Sequence, residues 1–169
     1  MREHLPPSVQ VDLADVADEV VKALHISAEA AGMTIRLSRS ETGTLVMGER
    51  DELIQVDQNL IQNAVKYGKP GGHIDVSVAP TAGRVAVRVA DDGIGIAPEH
   101  LPRLTERFYR VSAKDSRERG GTGLGLAIVK HIVNRHRGQL TIESEVGVGT
   151  KVSVWLPVSQ PGAGIRLMQ

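Results

Sequence analysis

Apolar positions along this chain follow two rhythms, and each switch between them marks an element. Leu13, Val16, Ala17, Val20 and Leu24 keep a helical spacing behind Asp12, a capping residue type, and Gly32 ends the run. In a second helix, from Asp51 to Tyr67, Leu53, Val56, Leu60 and Ala64 form one apolar stripe, which the glycine-containing breaker at 68–72 stops. Residues 124–136 predict a third. Between the helices the period is two: 33–39 with 44–47 as its antiparallel partner, 73–79 with 84–90 around a turn at 80–83, and 139–145 with 151–156 around Gly147 and Gly149. A short helical piece is expected over 99–107. Residues 1–11, with Pro6 and Pro7, read as a leading linker, 12–157 as one domain and 158–169 as a frayed tail. The polar, charged run from Ser112 to Gly121 reads as a mobile lid, centred on about residues 111–120.

Helix, two strands, helix, two strands, helix, two strands, with hairpins in place of long crossovers, predicts an α/β sandwich. Its sheet is expected to be mixed but mostly antiparallel, with about three helices on one face. A doubly wound parallel fold is disfavoured by the same order.

Composition narrows the function classes. Lysine plus arginine equal aspartate plus glutamate at 20 each, so the chain lacks the surplus positive charge of a nucleic-acid or anionic-membrane binder. The absence of cysteine rules out a disulfide framework and thiolate metal sites, and it suits a cytoplasmic location. No apolar run approaches the ~20 residues of a spanning helix, and the first 25 residues do not read as a signal peptide. Only Trp155, Tyr67, Tyr109 and Phe108 carry large aromatic rings, so a ring beside a polar motif draws notice.

Three motifs carry candidate chemistry. On the second helix Asn59, Asn63, Lys66 and Tyr67 fall on one flank of the apolar stripe, as either a site wall or a solvated helix face. An asparagine oxygen suits Mg²⁺, which takes its other ligands from water and substrate phosphates; Lys66 could neutralise phosphate and Tyr67 could lie against a base. Asp91-Asp92-Gly93-Ile94-Gly95-Ile96 leaves a buried strand, where a held aspartate can accept from an exocyclic amine. By itself it is also an ordinary glycine turn, and Pro98 stands where a dinucleotide fingerprint needs its third glycine. Gly121-Thr122-Gly123-Leu124-Gly125-Leu126, before the third helix, offers backbone N–H groups at a helix N-terminus: a phosphate cradle or a hinge, but no P-loop.

In this order the motifs resemble the ATP-binding domain of sensor histidine kinases, within the GHKL ATPases of the Bergerat fold, over roughly residues 12–157. Asn59-Leu60-Ile61-Gln62-Asn63-Ala64-Val65-Lys66-Tyr67 looks like the N box, residues 89–96 like the first glycine box, Arg107-Phe108-Tyr109-Arg110 like the end of the F box, Gly121 to Leu126 like the second glycine box, and Gly147-Val148-Gly149-Thr150 like the closing glycine-threonine motif. The resemblance implies that Asn63 holds Mg²⁺ with Asn59 assisting, that Lys66 meets phosphate, that Tyr67 stacks on adenine and that Asp91 accepts the adenine amino group. It implies nucleotide contacts from Gly93, Gly95, Ile96, Thr122, Gly123, Leu124, Gly125, Leu126 and Thr150, and a part for Arg110 in γ-phosphoryl transfer. ATP or ADP and Mg²⁺ are the implied cofactors. The implied partners are a histidine-bearing dimerisation domain of the same protein and a response regulator, with no nucleic acid and no direct membrane contact.

Two positions depart from the family pattern. Thr105 stands where the F box opens with phenylalanine. Asn59 stands four residues before Asn63, where the hydrolysing relatives carry a glutamate base, and an amide cannot activate water. The departure favours transfer to a nucleophile supplied from elsewhere over a GHKL-type ATPase; a regulatory nucleotide-binding module without catalysis is the other alternative. None of the six histidines is followed by the acidic residue and Arg-Thr-Pro run of the family's phosphoacceptor, so the acceptor is expected on a segment preceding this one.

Overall fold

The computed structural model describes residues 9–106 and 125–159. β1 (Val9–Asp12) leads directly into α1 (Leu13–Ala30), and Asp12 caps that helix by accepting a hydrogen bond from the Ala14 amide at 2.9 Å. The same Asp12 oxygen accepts from the Thr44 hydroxyl at 2.7 Å, tying the helix start to the strand pair beside it. β2 (Thr34–Arg39) and β3 (Leu45–Gly48) precede α2 (Arg50–Tyr67), which has Asp51 and Glu52 in its first turn and Lys66 in its last, the order the helix dipole favours. β4 (His73–Thr81) and β5 (Arg84–Asp91) form a hairpin that turns on Ala82 and Gly83, at φ 51° and 81°, the left-handed pair of a tight two-residue turn. A 3₁₀ turn (Pro98–Arg103), α3 (Gly125–Arg135), β6 (Gln139–Glu145) and β7 (Gly149–Pro157) complete the described chain.

The main sheet has five strands in the order β2-β4-β5-β7-β6, parallel only between β2 and β4, and β1 and β3 make a separate antiparallel pair. Alternation decides its faces. Ile74, Val76 and Val78 of β4, Val85, Val87 and Val89 of β5 and Val152, Val154 and Leu156 of β7 are buried toward the helices. α2 lies between α1 and α3, and Leu53, Val56, Leu60, Ile61 and Ala64 carry its buried stripe into that core. The result is the expected sandwich, three α-helices on a mixed, mainly antiparallel sheet.

Three local expectations need correction. The strand at 33–39 does not pair with 44–47: Thr34 to Arg39 runs parallel beside His73 to Val78, and β3 pairs with β1. Alternation says which face a strand buries but not which neighbour it joins, and the choice is made by distant packing. Residues 9–11, assigned to the linker, belong to β1, whose short Val-Gln-Val-Asp alternation buries Val11 in the core. The tail is not free from residue 158 onward, since Val158 bridges Val46 and the Ser159 amide donates to the Leu45 carbonyl at 2.6 Å. The proposed lid and residues 160–169 lie outside the described residues.

One residue in the buried stripe of α2 breaks its chemistry. Asp57 is 3% exposed and its Oδ2 has no hydrogen-bond partner; burial pushes its carboxyl up to about 8. A carboxyl whose folded value lies above its unfolded one makes the fold less stable as pH rises between the two, because the unfolded chain releases that proton first. Asp57→Leu should therefore raise the melting temperature, and the gain should widen from about pH 4 to about pH 8; a gain independent of pH in thermal melts would show that the charge is not the cause.

Candidate functional site

The polar flank of α2 faces the start of α3. Asn63, Lys66 and Tyr67 line a cleft together with Ile96, Leu104, Gly125 and Leu126, so the middle helix and the residues opening the last one share a wall. The Asn59 amide nitrogen lies 3.5 Å from the Gly125 carbonyl, a long contact that spans the same gap one turn earlier. Lys66 places its ammonium 4.9 Å from the centroid of the Tyr67 ring, which holds the two side chains together, and it also borders a second groove beside Gln62 and Val65. The enclosed part of the cleft is about 50 Å³, room for water and far below the ~300–1,000 Å³ of ordinary ligand pockets. A larger cavity, about 500 Å³, lies elsewhere, between the 3₁₀ turn, α3 and β6.

The end of β5 meets the end of α2. The Ile94 amide donates to the Tyr67 carbonyl at 3.2 Å, and Gly93 passes so close that a Cβ there would collide with that carbonyl. Asp91, just before, has its carboxylate oriented by two backbone donors, the Gly93 amide at 2.9 Å and the Thr150 amide. Burial raises its pKa, and those two hydrogen bonds pull the other way. Asp92 points outward: its carboxyl accepts from the His73 amide at 2.9 Å and is held below the usual range, chiefly by that bond.

Asp91 and Thr150 are register partners on β5 and β7, and Ser144 is the partner of Thr150 on β6. The row continues from the buried Ile74 of β4, so all three polar side chains lie on the helix-facing side at one end of the sheet. They border a shallow depression next to the cleft. Ile96 joins the two spaces, its buried side chain in the cleft and its amide donating to the Ser144 hydroxyl at 2.7 Å.

Of the residues singled out from sequence, Asn63, Lys66, Tyr67, Ile96, Gly125 and Leu126 come together in the cleft. Asn59 reaches toward it, and Asp91 and Thr150 occupy the adjoining depression. Gly93 and Gly95 serve close backbone approach, to Tyr67 and to Glu145 respectively. Arg110, Thr122, Gly123 and Leu124 lie outside the described residues. Sequence inspection passed over Ser144 and His136. His136 is buried, accepts the Glu49 amide at 3.0 Å through Nε2 and turns Nδ1 toward the Ile132 carbonyl, so a neutral ring caps the start of α2; burial lowers its pKa. Ser144 carried a usable signal, a hydroxyl in phase with the inward-facing Leu140 and Ile142 of β6.

Among the described residues there is no cluster of three or more His, Cys, Asp or Glu that could hold a metal by itself. A neutral amide oxygen from Asn63 beside the Lys66 ammonium suits an ion that keeps its water and arrives with phosphate. No helix among the described residues is long and apolar enough to cross a membrane.

Amides on one helix, an aspartate ending a strand and a glycine opening another helix, set on an α/β sandwich, match what a nucleotide-binding ATPase domain requires. Residues 48–160 match the family described as histidine kinase-, DNA gyrase B- and HSP90-like ATPases, and the chain belongs to that family. The sensor-like histidine kinase SenX3 of Mycolicibacterium smegmatis is 36% identical over 155 residues, which cover 92% of this chain and 40% of that protein. This chain thus spans about 40% of the length of that curated relative. Among solved structures, the mycobacterial sensor histidine kinase MprB superposes with a TM-score of 0.77 at 27% identity, covering 89% of this chain and 97% of that one. Full-length ShkA, solved in complex with AMPPNP, gives 0.78 at 27% identity over 90% of this chain and 31% of its own.

Because a methyl group at position 93 meets the Tyr67 carbonyl, Gly93→Ala should destabilise the fold by about 1–3 kcal/mol in urea titrations, as overpacking does. Unchanged stability would mean that the α2–β5 junction is looser than this contact implies.

Proposed function

We propose that this chain is the Mg-ATP-binding catalytic domain of a sensor histidine kinase, transferring the γ-phosphoryl group to a histidine on a separate dimerisation domain for delivery to a response regulator. The observation that carries this reading is the shared cleft of the α2 amides with the start of α3, next to an aspartate held by two backbone donors. In it Asn63, with Asn59, holds Mg²⁺, which neutralises phosphate charge; Lys66 meets phosphate, and Asp91 accepts the base amine while Tyr67 lies against the ring. Thr150, Ile96, Gly93 and Gly95 shape the base pocket, and Gly125 and Leu126 present the helix N-terminus to phosphate. Thr122, Gly123 and Leu124 as further backbone donors, and Arg110 as a stabiliser of the transferring group, rest on the sequence motifs alone.

The catalytic unit is read as 12–157, with β1 joined to it from Val9, and its place is the cytoplasm, where ATP is. Asn59 supports transfer over hydrolysis: with no carboxylate base at that position, water in the site is not activated, and catalysis is left to positioning and electrostatics.

Calorimetry with Mg-ATP should show Asp91→Asn weakening binding at least about tenfold, since an amide can turn a donor toward the base amine, while Asn63→Asp should change the Mg²⁺ dependence of affinity. Unaltered binding in both variants would place the pocket elsewhere. Mixed with a separate histidine-bearing dimerisation segment, the chain should produce acid-labile phosphate on that segment and none on itself; steady ATP turnover without any acceptor would favour an ATPase instead.

A further inference from the structure

Ser144 sits at a junction of hydrogen bonds. Its hydroxyl accepts the Ile96 amide at 2.7 Å, donates to the Gly149 carbonyl at 3.0 Å and lies 2.7 Å from the Thr150 hydroxyl. A hydroxyl has one hydrogen and two lone pairs. All three contacts are hydrogen bonds at once in only one arrangement: the Ser144 hydrogen goes to Gly149, one lone pair takes the Ile96 amide, and the other takes the Thr150 hydrogen. Thr150 has then spent its only hydrogen, and what its Oγ1 offers to any other group is lone pairs. Burial makes the arrangement binding, because Thr150 is 6% exposed and water cannot readily substitute for a missing partner.

We infer that Ser144 is a positioning residue for base selection: it locks Thr150 as a hydrogen-bond acceptor beside Asp91, so that the end of the β5–β7 row takes a purine presenting amino hydrogens and disfavours one presenting a carbonyl. The inference rests on the nucleotide reading above and adds the source of its base preference. Asp91 supplies one acceptor, and its orientation comes from the Gly93 and Thr150 amides, independently of Ser144. Thr150 supplies the second, and its polarity is set by Ser144. The same serine holds Ile96, whose side chain lines the cleft, so base wall and base acceptor are fixed through one oxygen. Without it the Thr150 hydroxyl rotates and can donate to a 6-oxo purine as readily as it accepts from a 6-amino one.

The test is calorimetric affinity for ADP and for inosine diphosphate, with Mg²⁺, in the parent chain, Ser144→Ala, Ser144→Thr and Thr150→Val, each checked by thermal melting. The parent should prefer ADP; Ser144→Ala should cut that preference about tenfold, the scale of one hydrogen bond gained or lost, and Ser144→Thr should keep it. Thr150→Val leaves the Ser144 bonds to Ile96 and Gly149 in place and should cut the preference as Ser144→Ala does, which decides the matter if Ser144→Ala fails to fold. A preference retained in Ser144→Ala, lost equally in Ser144→Thr or unaffected in Thr150→Val overturns the inference while leaving the nucleotide reading intact. A parent chain that binds neither nucleotide overturns both.

Discussion

The last carbonyl of α2 and the glycine turn after β5 occupy almost the same space. Tyr67 accepts the Ile94 amide, and Gly93 runs past it with no room for a side chain, so the C-terminal end of one helix is fixed against the end of a central strand. The cleft depends on that contact. α2 is oriented by its buried stripe, but a helix packed on a sheet can still slide along its axis; the junction sets the axial position and so determines that Asn63, Lys66 and Tyr67 face Ile96 and the start of α3. A second close approach, Gly149 against the Asp91 carbonyl, does the same for β7 and puts Thr150 beside the aspartate.

Electrostatically the molecule divides its buried polar groups by whether they have partners. Asp91, Ser144 and His136 are met by backbone donors or acceptors and Thr150 by the Ser144 hydroxyl, so their burial yields orientation. Asp57 leaves one carboxylate oxygen without a partner and stands apart from the cleft residues on the same helix. Buried without that partner, its charge lowers stability near neutral pH. His136 fills a gap in the capping of α2: the N-cap Glu49 makes no side-chain hydrogen bond to the helix start, and the imidazole from the end of α3 takes the Glu49 amide. The start of α2 is thereby tied to α3 at one end, while the Asn59 contact to Gly125 spans the same two helices nearer the cleft.

Much of this was legible in the letters. The three helices, the Asp12 cap of the first, the β4–β5 and β6–β7 hairpins and the candidate residues on α2 and after β5 all follow from local periodicity and turn chemistry, which act over a few residues. Ser144 and Asp57 were legible in a weaker sense, as polar residues in phase with the apolar face of their element, at an inward position of β6 and within the stripe of α2. Phase alone could not tell the useful one from the costly one. That difference is made by Ile96, Gly149 and Thr150, residues 48, 5 and 6 positions away along the chain.

By itself the sequence determined where the three helices and the strands after β1 lie, which face each one buries, and which side chains are candidates for nucleotide chemistry, because these depend on spacing within a single element. Only the tertiary structure decided that β2 lies parallel to β4 and not against β3, that β3 takes β1 and Val158 as neighbours, and that Asp91, Thr150 and Ser144 stand in one row. Pairing and rows of this kind are chosen by the packing of the whole core, where many distant contacts compete and small local preferences are outvoted.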